Sequence, residues 1–300
     1  MPFLFADHPR AQLLSNGAES YKLATGLPVI RPGSSLQFPS LDCATKQEGE
    51  WSLQRKGGFF LAATSQDATH LDETLTRAYR QFLDLCSNSA VYRVWHFVPQ
   101  INEEKDGLEN YRLFCRIRHD VLRSFAGEVD GHLLPAASAV GTTSKNFSML
   151  FLAGQEPAQA IENSLQVPAY EYPAIYGPRP PAFARAATVG NSLFVSGTSS
   201  IRGHKTVATG DLQEQTTVTL ENIANLLSSL HLSPAELSAP EGALTVYLRD
   251  GTRLSEIDQQ LTNAFPNIEA TILEADICRR DLEVEIELHC LDVNTIQKKC

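Results

Sequence analysis

NSLFVSGTSS, residues 191–200, followed by TLENIANLLSSLHL, residues 219–232, decides the architecture of this chain. The first stretch reads as a strand after an Asn turn, and in the second Leu220, Ile223, Leu227 and Leu230 return at helical spacing. Outward from there, ALTVYLRDG (243–251) is a strand ending in an Asp-Gly turn, and Leu254, Ile257 and Leu261 mark a second amphipathic helix. ATILEADI (270–277) and LEVEIELHCL (282–291) read as two further strands, expected to form a hairpin through Arg279, Arg280 and Asp281.

The same order occurs earlier in the chain. GGFFLAATS (57–65) is a strand, and Leu75, Ala78, Phe82 and Leu85 repeat the spacing of the later helix. AVYRVWHFVPQIN (90–102), YRLFCRIRHDVLRSF (111–125), HLLPAASAV (132–140) and FSMLFLAG (147–154) complete the set. Two copies of a β-α-β-α-β-β unit explain the pattern, so the expected class is α+β with helices packed on mixed sheets. The Pro- and Tyr-rich VPAYEYPAIYGPRPPAFARA (167–186) cannot continue a helix and reads as a connection or pocket-lining loop. The expected division is a degenerate N-terminal unit over residues 1–153, the connection over 154–186, and a catalytic unit over 187–300.

With 43% hydrophobic and 20% charged residues over 300 positions, the composition is that of an ordinary globular chain with room for two domains. A formal net charge of -10 argues against nucleic acid as the main partner, while leaving room for a small anion in a locally basic pocket. No apolar run approaches the roughly 18 residues of a membrane span, and Met1-Pro2-Phe3 leads into Asp7, His8 and Arg10, so a cytoplasmic protein without membrane contact is expected. Cys43, Cys86, Cys115, Cys278, Cys290 and Cys300 show no metal-ligand spacing; reduced thiols and no metal site are expected.

Within EADICRRDLEVEIELHC (274–290), strand alternation puts Glu283, Glu285 and Glu287 on one face and Val284, Ile286 and Leu288 on the other. Taken alone the triplet reads as a solvated strand face. The matching strand of the first copy, FSMLFLAG, carries no acid, which favours a site in the second copy. Arg112, Arg116, Arg118 and Arg123 read ordinarily as a solvated helix face, with Arg112 and Arg116 one turn apart and Arg118 pointing elsewhere. His96, His119 and His204 lack a partner at a suitable spacing and read as structural.

NSLFVSGT, LENIANLL, TVYLRDG and VEIEL, in this order, resemble the RidA/YjgF-like fold. Over the longer span Val91–Leu288, the segments YRVWHFVPQIN, YRLFCRIRH, PAASAVG, YGPRPPAFARA, FVSGTSSIRGH and CRRDLEVEIE resemble the chorismatases, which cleave chorismate to pyruvate and a cyclic product. That resemblance implies two RidA-like units in one chain, Glu285 as general acid, and Arg112, Tyr170 and Arg185 as substrate-binding residues. It also implies that Gly197, Thr198 and Ser199 line the ring pocket. Cys278, seven residues before Glu285, is similar to the cysteine of the hydroxybenzoate-forming members, whereas SGTSS departs from the small Gly or Ala patterns of the better-known subtypes. The implied activity is conversion of chorismate to pyruvate and 3-hydroxybenzoate, with 4-hydroxybenzoate, alone or in a mixture, as the alternative product, no cofactor, and a monomer or homotrimer.

The chemistry suits these residue types. Chorismate is a dianion with an enol ether, so its site needs forked cationic donors for two carboxylates and an acid that can protonate the enolpyruvyl methylene carbon. A glutamate with an ordinary pKa of about 4.3 must be shifted upward to keep its proton, and burial or like-charged neighbours do this. Cys278 is expected to shape the ring pocket and limit water, since nothing in the sequence activates it as a thiolate. The competing readings are a dihydrodiol-forming hydrolase, a RidA-like imine or enamine deaminase, and a non-catalytic ligand-binding scaffold.

Overall fold

The computed structural model describes residues 2–6, 13–16, 20–33, 36–37, 46–56, 58–239 and 241–291, of which 2–6, 13–16, 20–24, 36–37 and 56 are described as backbone alone. Cys43 and Cys300 lie outside the described residues. Short strands within residues 2–37 pair into a small four-stranded sheet. The remainder forms two larger sheets with helices on their outer faces.

The first unit comprises β2 (Lys46–Glu48), β3 (Trp51–Lys56), β4 (Phe59–Asp67), α1 (Leu71–Leu85), β5 (Ala90–Pro99), α2 (Asn110–Ala126), β6 (Ala136–Thr142) and β7 (Asn146–Gly154). The second comprises β8 (Gln159–Ile161), β9 (Ala186–Val189), β10 (Ser192–Ser199), α3 (Leu212–Ser229), β11 (Gly242–Leu248), α4 (Asp258–Ala264), β12 (Thr271–Glu274) and β13 (Val284–Cys290). A preceding strand, β1 (Val29–Arg31), adds to the edge of the second sheet through β12.

Strand order is β6-β5-β7-β4-β3-β2 in the first sheet and β8-β9-β10-β13-β11-β12-β1 in the second. In each, the last strand of the unit lies antiparallel between the first and second strands of the repeat, and the strand before it runs parallel to the second. The repeat inferred from residue spacing is therefore a repeat of topology. The expected hairpin through Arg279–Asp281 is not formed, because β11 lies between β12 and β13. A parallel pair needs a crossover of its own, and the segment between β11 and β12 supplies it as a 3-10 turn (Gly251–Glu256) and the short α4. The second amphipathic helix is thus shorter than the spacing of Leu254, Ile257 and Leu261 suggests.

Three apolar layers hold the molecule. Tyr79, Phe82, Phe114, Phe147 and Phe151 pack α1 and α2 on the outer face of the first sheet. Ile223, Leu227, Leu244, Val284, Ile286 and Leu288 pack α3 and α4 on the outer face of the second. Trp95, Phe97 and Leu152 meet Phe194, Tyr247 and Ile277 between the sheets. Each fully buried Leu or Ile contributes about 1.5–3 kcal/mol; the outer two layers fix the helices on their sheets, and the third holds the sheets face to face. At its start α3 is capped by Asp211, whose carboxylate accepts the Glu214 N–H at 3.0 Å. Among the described residues no helix is long and apolar enough to cross a membrane.

Candidate active site

The alternation along β13 now has a physical meaning. Val284, Ile286 and Leu288 face the helices, so Glu285 and Glu287 face the first sheet, where their residues are 3% and 0% exposed. This face is dry. Glu283 departs from the triplet: it precedes the strand, and its carboxylate lies 3.6 Å from Arg253 on the 3-10 turn.

Register with β10 sets the environment of Glu285. A bulge between Val195 and Thr198 places three steps of β10 against two of β13, after which Thr198 pairs with Ile286 and Ser199 with Glu285. Thr198 therefore shares the helix-side face and donates its hydroxyl to Ser196 O at 2.9 Å. Gly197 and Ser199 face Glu285 and line the cavity with it. At Gly197 any Cβ would collide with the Glu285 carboxyl, so glycine is what lets the acid sit flush against β10.

The cavity holds about 730 Å³, within the range of small-molecule sites. Arg112 from α2, Arg179 and Arg185 from the connection, and Arg279 and Arg280 from the loop before β13 converge on it. The site is thus locally basic in a chain of net charge -10. Arg112 lies 3.3 Å from Glu109, Arg179 2.8 Å from Asp120, and Arg279 stacks over Tyr176 at 4.1 Å and Tyr172 at 5.3 Å. Arg185 donates to Val167 O at 2.9 Å and to the Tyr172 hydroxyl at 2.8 Å, yet its buried Nε has no hydrogen-bond partner.

Behind this mouth a narrower recess is lined by Arg118, Ser138, Phe183, Gly197, Cys278 and Glu285. Arg118 is 4% exposed, and its Nε also lacks a partner. A buried guanidinium donor without an acceptor is costly, and it marks where an anionic or oxygen-rich ligand fits. The solvated-face reading is therefore corrected for Arg118. Phe114, Arg118 and Val121 fall on one helical stripe, so the arginine occupies a core position of α2. Arg116, by contrast, faces a groove between α1 and α2.

Burial pushes the Glu285 carboxyl up to about 8, and the Arg93 guanidinium pulls it back only in part. The two neighbouring glutamates are not the cause. Glu283 is remote, and Glu287 is engaged by Arg93 in an ion pair in which both side chains are fully buried. Burial, with the Glu285 charge beside it, holds the Cys278 thiol up at about 12, so the residue presents an S–H to the cavity.

Of the residues expected from the sequence, Arg112, Arg185, Gly197, Ser199, Cys278 and Glu285 come together on the cavity. Tyr170 and Thr198 do not. Tyr170 sits on a 3-10 turn (Ala169–Glu171) and its ring lies against Gly131. Side chains on such a turn diverge by about 120° per residue, and the tyrosines that line the cavity are Tyr172 and Tyr176 of the connection and Tyr111 of α2. Arg93, Arg118, Ser138, Tyr172 and Arg279 escaped the sequence reading; for Arg118 the apolar stripe of α2 was the available signal. The structural reading of His96 fits its place: its Nδ1 donates to Ser138 O at 2.7 Å, its Nε2 accepts the Tyr79 hydroxyl at 2.6 Å, and burial holds it well below the usual imidazole range. Among the described residues no group of three or more His, Cys, Asp and Glu side chains is arranged to hold a metal ion.

Comparison with known proteins places these features in a family. The profile described as chorismatase FkbO/Hyg5-like, N-terminal, matches residues 40–153, and that of endoribonuclease L-PSP matches residues 178–291. A 3-hydroxybenzoate synthase of Streptomyces hygroscopicus is 36% identical over 248 residues, covering 76% of this chain and 72% of the relative. A chorismatase of Streptomyces rapamycinicus is 37% identical over 210 residues, 65% of this chain and 62% of the relative. The crystal structure of a chorismatase superposes with a TM-score of 0.74 at 28% identity, over 83% of this chain and 79% of that one.

Proposed function

The chain belongs to the chorismatase family, and from that premise we propose that it cleaves the enolpyruvyl ether of chorismate to give pyruvate and 3-hydroxybenzoate. The observation that carries the reading is the pairing of a buried carboxyl that keeps its proton to about pH 8 with unpartnered Arg118 and Arg185 donors at one cavity. Those are the two requirements of the reaction: an acid for carbon and donors for carboxylates.

In the proposed course the arginines hold the dianion with the enolpyruvyl methylene against Glu285. Glu285 transfers its proton to that carbon, leaving an oxocarbenium-like side chain. The neighbouring ring hydroxyl then attacks the ether-bearing ring carbon, the ring C–O bond breaks with its electrons to the departing pyruvate, and the hydroxyl proton returns to the Glu285 carboxylate. The epoxide so formed isomerises to the aromatic hydroxybenzoate, and atoms balance without water or an oxidant. A positioned acid of matched pKa contributes about 10²- to 10⁴-fold, and orientation by the arginines supplies much of the rest.

Formation of the 3-hydroxy product is supported by Cys278, which shares the recess with Glu285 and Phe183. The catalytic role of Glu285, the pocket-shaping role of Cys278, and substrate binding by Arg112, Arg185, Gly197 and Ser199 are parts of the same proposal. The chain works as a monomer or homotrimer, which sedimentation velocity separates. Incubation with chorismate, with pyruvate measured enzymatically and aromatic products resolved by chromatography, tests the reading. Equimolar pyruvate and 3-hydroxybenzoate are expected; ammonia release, or binding without turnover, would replace it.

A further inference from the structure

Glu287 touches neither the cavity nor the recess, yet among the described residues it is the most heavily engaged buried acid. Its Oε2 meets the Arg93 guanidinium and accepts the Ser138 hydroxyl at 2.9 Å, and its Oε1 accepts the Tyr247 hydroxyl. Each guanidinium nitrogen of Arg93 has a partner in turn. It donates to Ser138 Oγ at 2.7 Å, to His289 Nε2 at 3.1 Å and to Val94 O at 3.3 Å. The accepting Nε2 requires a neutral His289, and burial beside Arg93 holds that imidazole well below its usual range. Arg93 and Ser138 come from the first unit; Tyr247, Glu287 and His289 come from the second.

The network stands next to the acid. Glu287 follows Glu285 by two residues on the same face of β13, Tyr247 is opposite Glu285 in the β11–β13 register, and Ser138 lines the recess beside it. Arg93, Tyr247 and Cys278 are the groups that interact electrostatically with Glu285, while Arg118, Arg185 and Arg279 face it across the cavity. Among these, Arg93 is the cation that shares its buried face. Among the described residues the ion-pair partner of Arg93 is Glu287, and Glu285 has none.

We propose that Glu287 is a positioning residue for the reaction: by holding Arg93 through Ser138 and Tyr247, it denies Glu285 a counter-ion and so keeps the acid in its proton-carrying form. The inference rests on Glu285 being the acid of the proposed reaction, and it deepens that reading by explaining why a guanidinium so close does not ionise it. While paired with Glu287, Arg93 lowers the Glu285 carboxyl by less than burial raises it. An Arg93 released from Glu287 would turn its charge on Glu285 instead.

The test uses two variants with opposite expected signs. In Glu287→Gln the freed Arg93 charge favours ionised Glu285, so the alkaline limb of kcat/KM moves down by at least one pH unit, with KM for chorismate changed less than threefold. In the double variant Arg93→Gln with Glu287→Gln both charges are gone, no buried charge is left unpaired, and the limb moves above its wild-type position. The double variant keeps the proposal falsifiable if the single one does not fold. A limb that stays in place in the folded double variant, or equal losses at every pH in both, overturns it. Infrared titration of the carboxyl C=O band that disappears in Glu285→Gln follows the same ionisation without substrate. Shifts of that band in the expected directions in a protein that releases no pyruvate would sustain this inference while defeating the proposed reaction.

Discussion

A Cβ atom on Gly197 would stand 2.6 Å from the carboxyl carbon of Glu285 and 2.9 Å from Cβ of Ser138. Ser138 is tied to Arg93 and Glu287, so the Glu285 carboxyl, at the far end of its side chain, is the neighbour that must give way. Gly197→Ala should therefore fold but push the carboxyl off its line to the substrate. Since displacements of about 1 Å can cost 10²-fold, a fall in kcat of ten- to hundredfold is expected in a pyruvate-release assay, with circular dichroism unchanged. Wild-type kcat would show that the acid tolerates the displacement.

Glu285→Gln removes the proton donor and retains the shape. Turnover should fall about 10²- to 10⁴-fold while chorismate still binds in a calorimetric titration. The same variant has a stability signature. The folded carboxyl ionises at about 8 and the ordinary value is 4.5, so burying it costs nothing below that ordinary value and progressively more as pH rises towards 8. The Gln variant should melt at the same temperature as wild type near pH 4 and at a higher one at pH 9. A lower melting temperature at pH 9 would contradict burial of the acid.

For wild type, kcat/KM should be level below about pH 8 and fall tenfold per unit above it, because the working form of Glu285 is the protonated one. Stopped assays across pH 6–10 read the limb directly. A limb near the ordinary carboxylate value would remove the general-acid assignment.

Arg118→Met tests the donor at the back of the recess. Charge-assisted hydrogen bonds are worth about 1.5–3 kcal/mol, so kcat/KM for chorismate should drop roughly ten- to hundredfold. Stability should hold or rise, because a buried guanidinium with an unpartnered Nε is replaced by an apolar side chain. Unchanged kcat/KM would place the substrate carboxylates wholly among the arginines at the mouth.

Cys278→Ala opens space beside Glu285 and admits water where the thiol now stands. The aromatic product should give way in part to the dihydrodiol, measured as a ratio by chromatography. An unaltered ratio would detach Cys278 from product choice.

How much of this was legible in the sequence depends on the range of the interactions involved. Leu75, Ala78, Phe82 and Leu85 repeat the spacing of Leu220, Ile223, Leu227 and Leu230, because each helix buries one face against its own sheet, and that local periodicity exposes the repeat. Strand order was less accessible. Nothing in Arg279–Asp281 states that β11 will lie between β12 and β13, so adjacency in sequence suggested a hairpin that pairing over longer range excludes. The acid face of β13 shows the same limit. Alternation fixes which residues share a side, but the first sheet, which buries that side, is supplied by the first half of the chain. Thr198 was misplaced by one bulge, and Tyr170 by the turn of a 3-10 helix, since both change direction without changing composition. The family resemblance pointed to Glu285 and Cys278, which the fold brings to one cavity; it did not point to Arg93, whose contacts reach residues nearly two hundred positions away.

The central claim is that a buried, protonated Glu285 cleaves the enolpyruvyl ether. It is tested most directly by incubating wild type and Glu285→Gln with chorismate at pH 7 and quantifying pyruvate and aromatic acid together. The account predicts equal amounts of pyruvate and 3-hydroxybenzoate from wild type and about 10²-fold less or lower from the variant. Chorismate recovered intact from wild type, or equal pyruvate from both proteins, would contradict it.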